Sequence, residues 1–147
     1  MVVDDEPFNI EAVKGLLRVL KFDSVKHVDY GYNGEEAVEF ISRAINDGDM
    51  DRYGLIITDC SMPFLDGYEA TKWIRAMLKL ARGDEEESKD PEPLKIVAVT
   101  GHVEPEYISK AKQSGMDEVF GKPMTALLLA QILFKNGYIE EVPARLL

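Results

Sequence analysis

The sequence predicts an α/β domain built on a five-stranded parallel sheet with helices on both faces. Three observations carry that expectation. Short apolar, β-branched runs alternate five times with segments of helical period along the 147 residues. The run Leu55-Ile56-Ile57-Thr58-Asp59 is too short for a helix and apolar up to its end, as a strand covered on both faces must be. Four of the five strands also finish in a chemically capable residue: Asp4 and Asp5, Asp59, Thr100, and Lys122. In a parallel sheet with right-handed crossovers those ends lie along one edge, where such sheets bind ligands.

The elements follow in order. Val2-Val3 ends a buried strand, and Asp4-Asp5-Glu6-Pro7 turns into a helix over Phe8–Leu20, with Ile10, Val13, Leu16, Leu17 and Leu20 on its apolar face. Val25–Tyr30 reads as a more polar strand near a sheet edge. Asn33 caps a second helix whose face is Ala37, Val38, Ile41 and Ile45. After the Leu55 strand, a third helix runs from Tyr68 to about Ala81, with Ala70, Trp73, Ile74, Met77 and Leu78 as its stripe. Arg82–Pro93 is a long acidic loop whose composition predicts mobility. Lys95–Thr100 is a strand, Glu106–Ser114 a helix closed by Gly115, and Val119-Phe120 a short strand leading into Gly121-Lys122-Pro123. Thr125 to about Lys135 is the last helix, and Gly137 stops it. The expected domain is residues 1–136, with 137–147 a C-terminal tail or linker stub. The first strand is short before its acids, which suggests an excised domain or a trimmed start.

Bulk properties exclude several functions. Asp and Glu number 27 against 17 Lys and Arg, a net charge of -10, which argues against nucleic-acid binding. The single cysteine, Cys60, rules out an internal disulfide and suits a reducing compartment. No apolar run approaches the roughly 20 residues of a membrane span, and no signal peptide is visible. Neither a dinucleotide nor a P-loop fingerprint occurs.

Chemistry therefore rests on the gathered strand ends. Three carboxylates close together repel, and a hard divalent cation relieves that repulsion; Mg²⁺ accepts two or three carboxylates, a backbone carbonyl and waters. Such a site suits phosphoryl transfer, in which a nucleophile is aligned and three oxygens are neutralised. Asp59 would be the nucleophile, with Mg²⁺, the Lys122 ammonium and the Thr100 hydroxyl taking the phosphoryl oxygens.

The motifs Val-Val-Asp-Asp-Glu, Asp-x-x-Met-Pro-x-x-Asp-Gly, Val-Thr-Gly and Gly-Lys-Pro occur in this order. From Val2 to about Lys135 the chain resembles a response-regulator receiver domain, and most of all the receivers of hybrid sensor histidine kinases. That resemblance implies a flavodoxin-like fold with strand order 2-1-3-4-5. It implies that Asp59 accepts phosphate from a phosphohistidine on a histidine kinase or histidine phosphotransfer protein. It also implies that Asp5, Asp59 and the Ser61 backbone carbonyl bind Mg²⁺, that Asp4 acts through water, and that Lys122–Pro123 is cis. The implied location is cytoplasmic, in a parent that can itself be membrane-anchored.

There are two departures from the pattern. Receivers often carry Tyr or Phe three residues before the lysine; here Val119 stands there, with Phe120 on the other strand face. The acidic loop is longer than a receiver needs. Two rival functions follow from the same residues. A haloacid-dehalogenase-like aspartyl phosphatase would need a second aspartate where Ser61 stands. A receiver that binds partners without phosphorylation would not need the intact Asp4, Asp5, Asp59, Thr100 and Lys122 set. His102 and His27 read as exposed or sheet residues, Cys60 as a small packing residue, and Trp73 and the methionines as core.

Overall fold

Successive side chains of a strand point to opposite faces, and here each face of the sheet carries its own core. The computed structural model describes residues 1–83 and 93–147. β1 (Val2–Val3), β2 (Tyr30–Gly31), β3 (Leu55–Thr58), β4 (Lys95–Thr100) and β5 (Glu118–Gly121) form one parallel sheet in the order β2-β1-β3-β4-β5. The expected class and strand order both hold. The helices are α1 (Pro7–Val19), α2 (Ser24–His27), α3 (Gly34–Asn46), α4 (Gly67–Arg82), α5 (Pro105–Ser114) and α6 (Ala126–Lys135). Val3, Ile56, Ile96 and Ala98 face a core completed by α3, α4 and α5. Val2, Leu55, Ile57, Val97 and Val99 face the other, completed by α1 and α6. Adjacent residues of one strand thus supply opposite layers, which is why these strands read as unbroken apolar runs.

The helix ends follow local chemistry. Asn33 accepts from the Glu36 N–H, Asp66 from Glu69 and Thr125 from Leu128, each satisfying an otherwise orphaned donor. Pro7 and Pro105 open α1 and α5, and Gly83 and Gly115 close α4 and α5 in the left-handed conformation.

Two expectations are corrected. Val25–Tyr30 is not one strand: Ser24–His27 is a helical turn and only Tyr30–Gly31 pairs with β1. The Asp23 carboxylate accepts from the Lys26 N–H and starts that turn, and Val25 is 97% exposed, so its apolar side chain marks no buried face. Trp73, placed in the α4 stripe, is 57% exposed; Ala70, Ile74 and Leu78 are buried without it. The expected acidic loop falls mainly on residues 84–92, outside the described residues. After α6, the Tyr138 N–H donates to the Leu133 carbonyl, Ile139 joins the α1–α6 core and Arg145 donates to the Val19 carbonyl.

Arg75 is the principal polar tie between α4 and the sheet. Its guanidinium donates to the Leu94 carbonyl at 2.7 Å, to the Gly115 carbonyl at 2.9 and 3.0 Å, and to the Asp117 carboxylate at 2.9 Å. Arg75→Ala leaves those part-buried acceptors without their charged donor and is expected to cost about 2 kcal/mol. Lys72→Ala, which breaks only an exposed pair with Glu69, is expected to cost below ~0.5 kcal/mol. Urea denaturation of the two variants checks the contrast.

Candidate functional site

β1 and β3 lie side by side with Val3 opposite Thr58, so the next residues, Asp4 and Asp59, leave the sheet together. The ladder continues through both: the Asp59 N–H donates to the Val3 carbonyl at 2.9 Å and the Asp4 N–H to the Gly31 carbonyl at 3.1 Å. The backbones of the acids are therefore held while their side chains reach beyond the strand ends. The Lys122 N–H donates to the Thr100 carbonyl at 2.8 Å, carrying the lysine to the same edge from the far side of β4. Its bond to Pro123 is cis.

At that edge the Lys122 ammonium bridges two carboxylates. Nζ lies 2.9 Å from Asp59 Oδ2 and 3.1 Å from Asp4 Oδ2. The other Asp59 oxygen, Oδ1, accepts from the Cys60 N–H at 2.7 Å. Asp4 accepts from the Glu6 N–H at 2.9 Å and from Asn9 Nδ2 at 3.1 Å. Burial works against the charge on Lys122, but Asp59 and then Asp4 outweigh it and hold its pKa above the ordinary 10.5. One oxygen each of Asp4, Asp5 and Asp59 lies within 4.8 Å of the others. The trio thus gathers hard oxygen donors of the kind Mg²⁺ accepts.

Thr100 ends β4 fully buried, and its hydroxyl accepts from the His102 N–H at 3.3 Å. Ser61 is exposed, two residues past Asp59. His102 and His27 are exposed, and the His102 ring lies 4.8 Å from that of Tyr107. Cys60 is buried, and burial before any other cause pushes its thiol up; the neighbouring Asp59 adds to this, while the Tyr68 and Thr100 hydroxyls oppose it. A cavity of about 260 Å³ opens beside the acids, bounded by Phe8, Asn9, Asp59, Lys122 and Met124. A larger one, about 370 Å³, lies at the other end of the strands among Phe22, Tyr53, Leu133 and Tyr138 and contains none of these groups.

Sequence reasoning carried Gly67 only as the end of the Asp-x-x-Met-Pro-x-x-Asp-Gly motif, and missed Asn9 and the Cys60 N–H. A Cβ at Gly67 would stand 2.1 Å from the Asp59 carbonyl oxygen, so only glycine lets α4 begin directly beneath the acid. The pattern Asp-Gly ahead of a helix was the available signal for Gly67. Asn9 had none, because one polar residue in a first turn resembles any other.

A doubly wound parallel sheet with an acidic, lysine-bridged cluster at its carboxyl edge defines the class: a flavodoxin-like α/β domain whose strand ends form the site. The chain belongs to the response regulator receiver domain family, whose sequence model matches residues 1–134. It is 32% identical over 135 residues to the sensor protein GacS of Pseudomonas syringae pv. syringae, covering 92% of this chain and 13% of GacS. The chain thus spans a small part of the length of that relative. Among solved structures it resembles the receiver domain of the sensor histidine kinase PA1611 of Pseudomonas aeruginosa PAO1, which has a magnesium ion coordinated in its active-site cleft. The TM-score is 0.68 with 29% identity, over 92% of this chain and 94% of that one. It also resembles a chain of the Saccharomyces cerevisiae complex between the histidine phosphotransfer protein Ypd1 and the receiver domain of Ssk1. There the TM-score is 0.72 with 26% identity, over 97% and 90% of the two chains.

Two expectations follow from the site's electrostatics. A raised lysine pKa means that the stability contributed by the Lys122 contacts is complete below 10.5 and is lost as the pH rises through the higher folded value. Urea midpoints of the metal-free protein on either side of that pH should show the fall, and Lys122→Met should abolish it. Cys60, buried and disfavoured as a thiolate, should react with a thiol reagent only as fast as the domain opens; labelling rates in rising urea measure this.

Proposed function

We propose that this chain is the phosphoacceptor module of a phosphorelay, taking a phosphoryl group onto Asp59 from a phosphohistidine. The observation that carries this is the Lys122 bridge to Asp59 Oδ2 within a cluster of three acids. A lone pair on an Asp59 carboxylate oxygen attacks phosphorus, the phosphorus–nitrogen bond of the donor breaks, and its electron pair returns to the imidazole, giving an acyl phosphate. Lys122, already in contact with Asp59, follows the added negative charge to a phosphoryl oxygen. The buried Thr100 hydroxyl swings from the His102 amide to another.

Hard oxygen donors at this spacing fit Mg²⁺, which would neutralise the transferring phosphoryl group when bound. Asp5, Asp59 and the Ser61 carbonyl would hold it directly. Asp4, whose oxygens already meet three donors, the Glu6 N–H, Asn9 Nδ2 and Lys122 Nζ, would act through water. Donors of matching chemistry are a histidine kinase or a histidine phosphotransfer protein. Further catalysis is self-directed, limited to slow hydrolysis of the Asp59 acyl phosphate. The receiver unit is residues 1–136, with 137–147 a tail returning along α1. The net charge of -10 speaks against nucleic acid as a partner, and no helix among the described residues is long and apolar enough to cross a membrane. In this reading the domain makes no bilayer contact of its own and meets its phosphohistidine donor on the cytoplasmic side.

Beryllofluoride with Mg²⁺ mimics the phosphoryl group and tests the reading without a donor. Binding should be lost in Asp59→Ala and on chelating Mg²⁺, and weakened about 10²-fold in Lys122→Met, the scale of one preorganised electrostatic contact. Calorimetry of the three proteins measures it, and unchanged binding in Asp59→Ala would sink the proposal.

A further inference from the structure

The loop joining β3 to α4 carries Ser61, and it is built under strain. Phe64 at its tip has φ 67°, a left-handed conformation that is unfavourable for a bulky L-residue. The Leu65 N–H closes the tight turn across Phe64 onto the Pro63 carbonyl at 2.9 Å. Phe64 is 85% exposed, so its own side chain supplies little packing to offset that cost. A strained turn persists only where its surroundings over-determine it. Its two ends are tied to each other, the Gly67 N–H donating to the Cys60 carbonyl at 2.8 Å. The other restraint comes from a distant element: the Gly34 N–H, the first amide of α3, donates to the Leu65 carbonyl at 3.0 Å. Asn33 already satisfies the Glu36 amide, leaving the Gly34 donor free to point outward from the helix start.

This clamp requires glycine. A Cβ at residue 34 would stand 2.2 Å from the Leu65 carbonyl oxygen, 2.9 Å from its carbon and 3.0 Å from the Asp66 oxygen. All three are backbone atoms, so no side chain can turn away; the loop itself must retreat by about 1 Å, on a scale where catalytic geometry is lost. Its far end is fixed at Gly67, and Asp66 caps α4, so the displacement falls on the stretch from Ser61 to Leu65. Pro63 cannot absorb it through φ.

We propose that Gly34 is a positioning residue for the metal-binding loop, holding Leu65, and through the strained turn Ser61, at the distance Mg²⁺ coordination requires. The inference rests on the Mg²⁺ reading given above. Gly34 touches neither phosphate nor metal; it acts by letting α3 approach the loop.

The test titrates Mg²⁺ alone into the 147-residue chain by calorimetry, and follows thermal melting in parallel without metal. G34A should bind Mg²⁺ about tenfold more weakly, since near-octahedral geometry tolerates little displacement of a ligand. A44G, which destabilises the same helix at a buried position remote from the loop, should bind as the wild type does. If G34A does not fold, G34A/F64G takes its place: glycine at 64 removes the strain and lets the turn yield, and Mg²⁺ binding should remain weak. G34A or the double variant binding within twofold of wild type overturns the proposal, as does equal weakening in A44G, which would mark the effect as stability alone. Wild type that fails to bind Mg²⁺ overturns the parent reading, and this one with it.

Discussion

The Lys122 ammonium lying between Asp4 and Asp59 is the contact on which the site depends. Two carboxylates buried to 8 and 7% exposure would be costly side by side without a cation, because the low local dielectric magnifies repulsion as much as attraction. Lysine supplies the cation without occupying the place of a second one, since its single ammonium sits on the Oδ2 side of each acid. Asp59 Oδ1 is meanwhile fixed by a backbone amide. The reacting carboxylate is thus aimed by two hydrogen bonds before any phosphoryl group arrives, which is preorganisation in the sense that matters for charge development.

That contact is a product of topology. Asp4 and Asp59 meet because β1 and β3 pair in parallel with Val3 opposite Thr58. Lys122 reaches them because β5 joins β4 and the next residue hydrogen-bonds back to Thr100. A one-residue slip in either register would turn the side chains to the other face of the sheet. The two cores guard against such slips: Ile56 with Ile96 on one face, and Ile57 with Val97 on the other, are buried at adjacent positions. The apolar runs therefore do more than supply hydrophobic stabilisation; they set the phase of the acids.

Much of this was legible before the fold was known. Leu55–Thr58, Lys95–Thr100 and the caps at Asn33 and Gly115 are local signals, and local physics decides them. The misreadings came where tertiary context overrode pattern. Val25 looked like a strand residue because it is β-branched, yet Asp23 starts a helical turn there and leaves it in solvent. Trp73 sat at stripe spacing, but it lies on the edge of the α4 face, and Ile74 and Leu78 are enough to fill the layer. Within the site, the acids and the lysine announced themselves by charge at strand ends. Asn9 and the Cys60 amide did not, because a single polar side chain and a backbone donor leave no periodic trace. Gly34 follows the Asn33 cap with no signal of its own; its proximity to Leu65 is a long-range fact.

The fifth strand shows how one residue's parity limits what this domain can do. Val119 faces the core shared with α3, α4 and α5, while Phe120 faces the α1–α6 core. Receivers that signal with an aromatic three residues before the lysine place it where Val119 stands. Phe120 cannot take over, because exchanging the two would move the whole strand by one residue and carry Lys122 away from Asp59. Valine offers only the rotation of a short, branched side chain, with no hydroxyl and no ring to swing between solvent and core. On that side of the sheet the group with both a polar atom and a replaceable partner is Thr100, whose bond to the His102 amide is long at 3.3 Å. Under the phosphoacceptor reading, movement there passes into the loop that carries His102 and its contact with Tyr107. The change of surface then begins at the start of α5 instead of at a ring on β5.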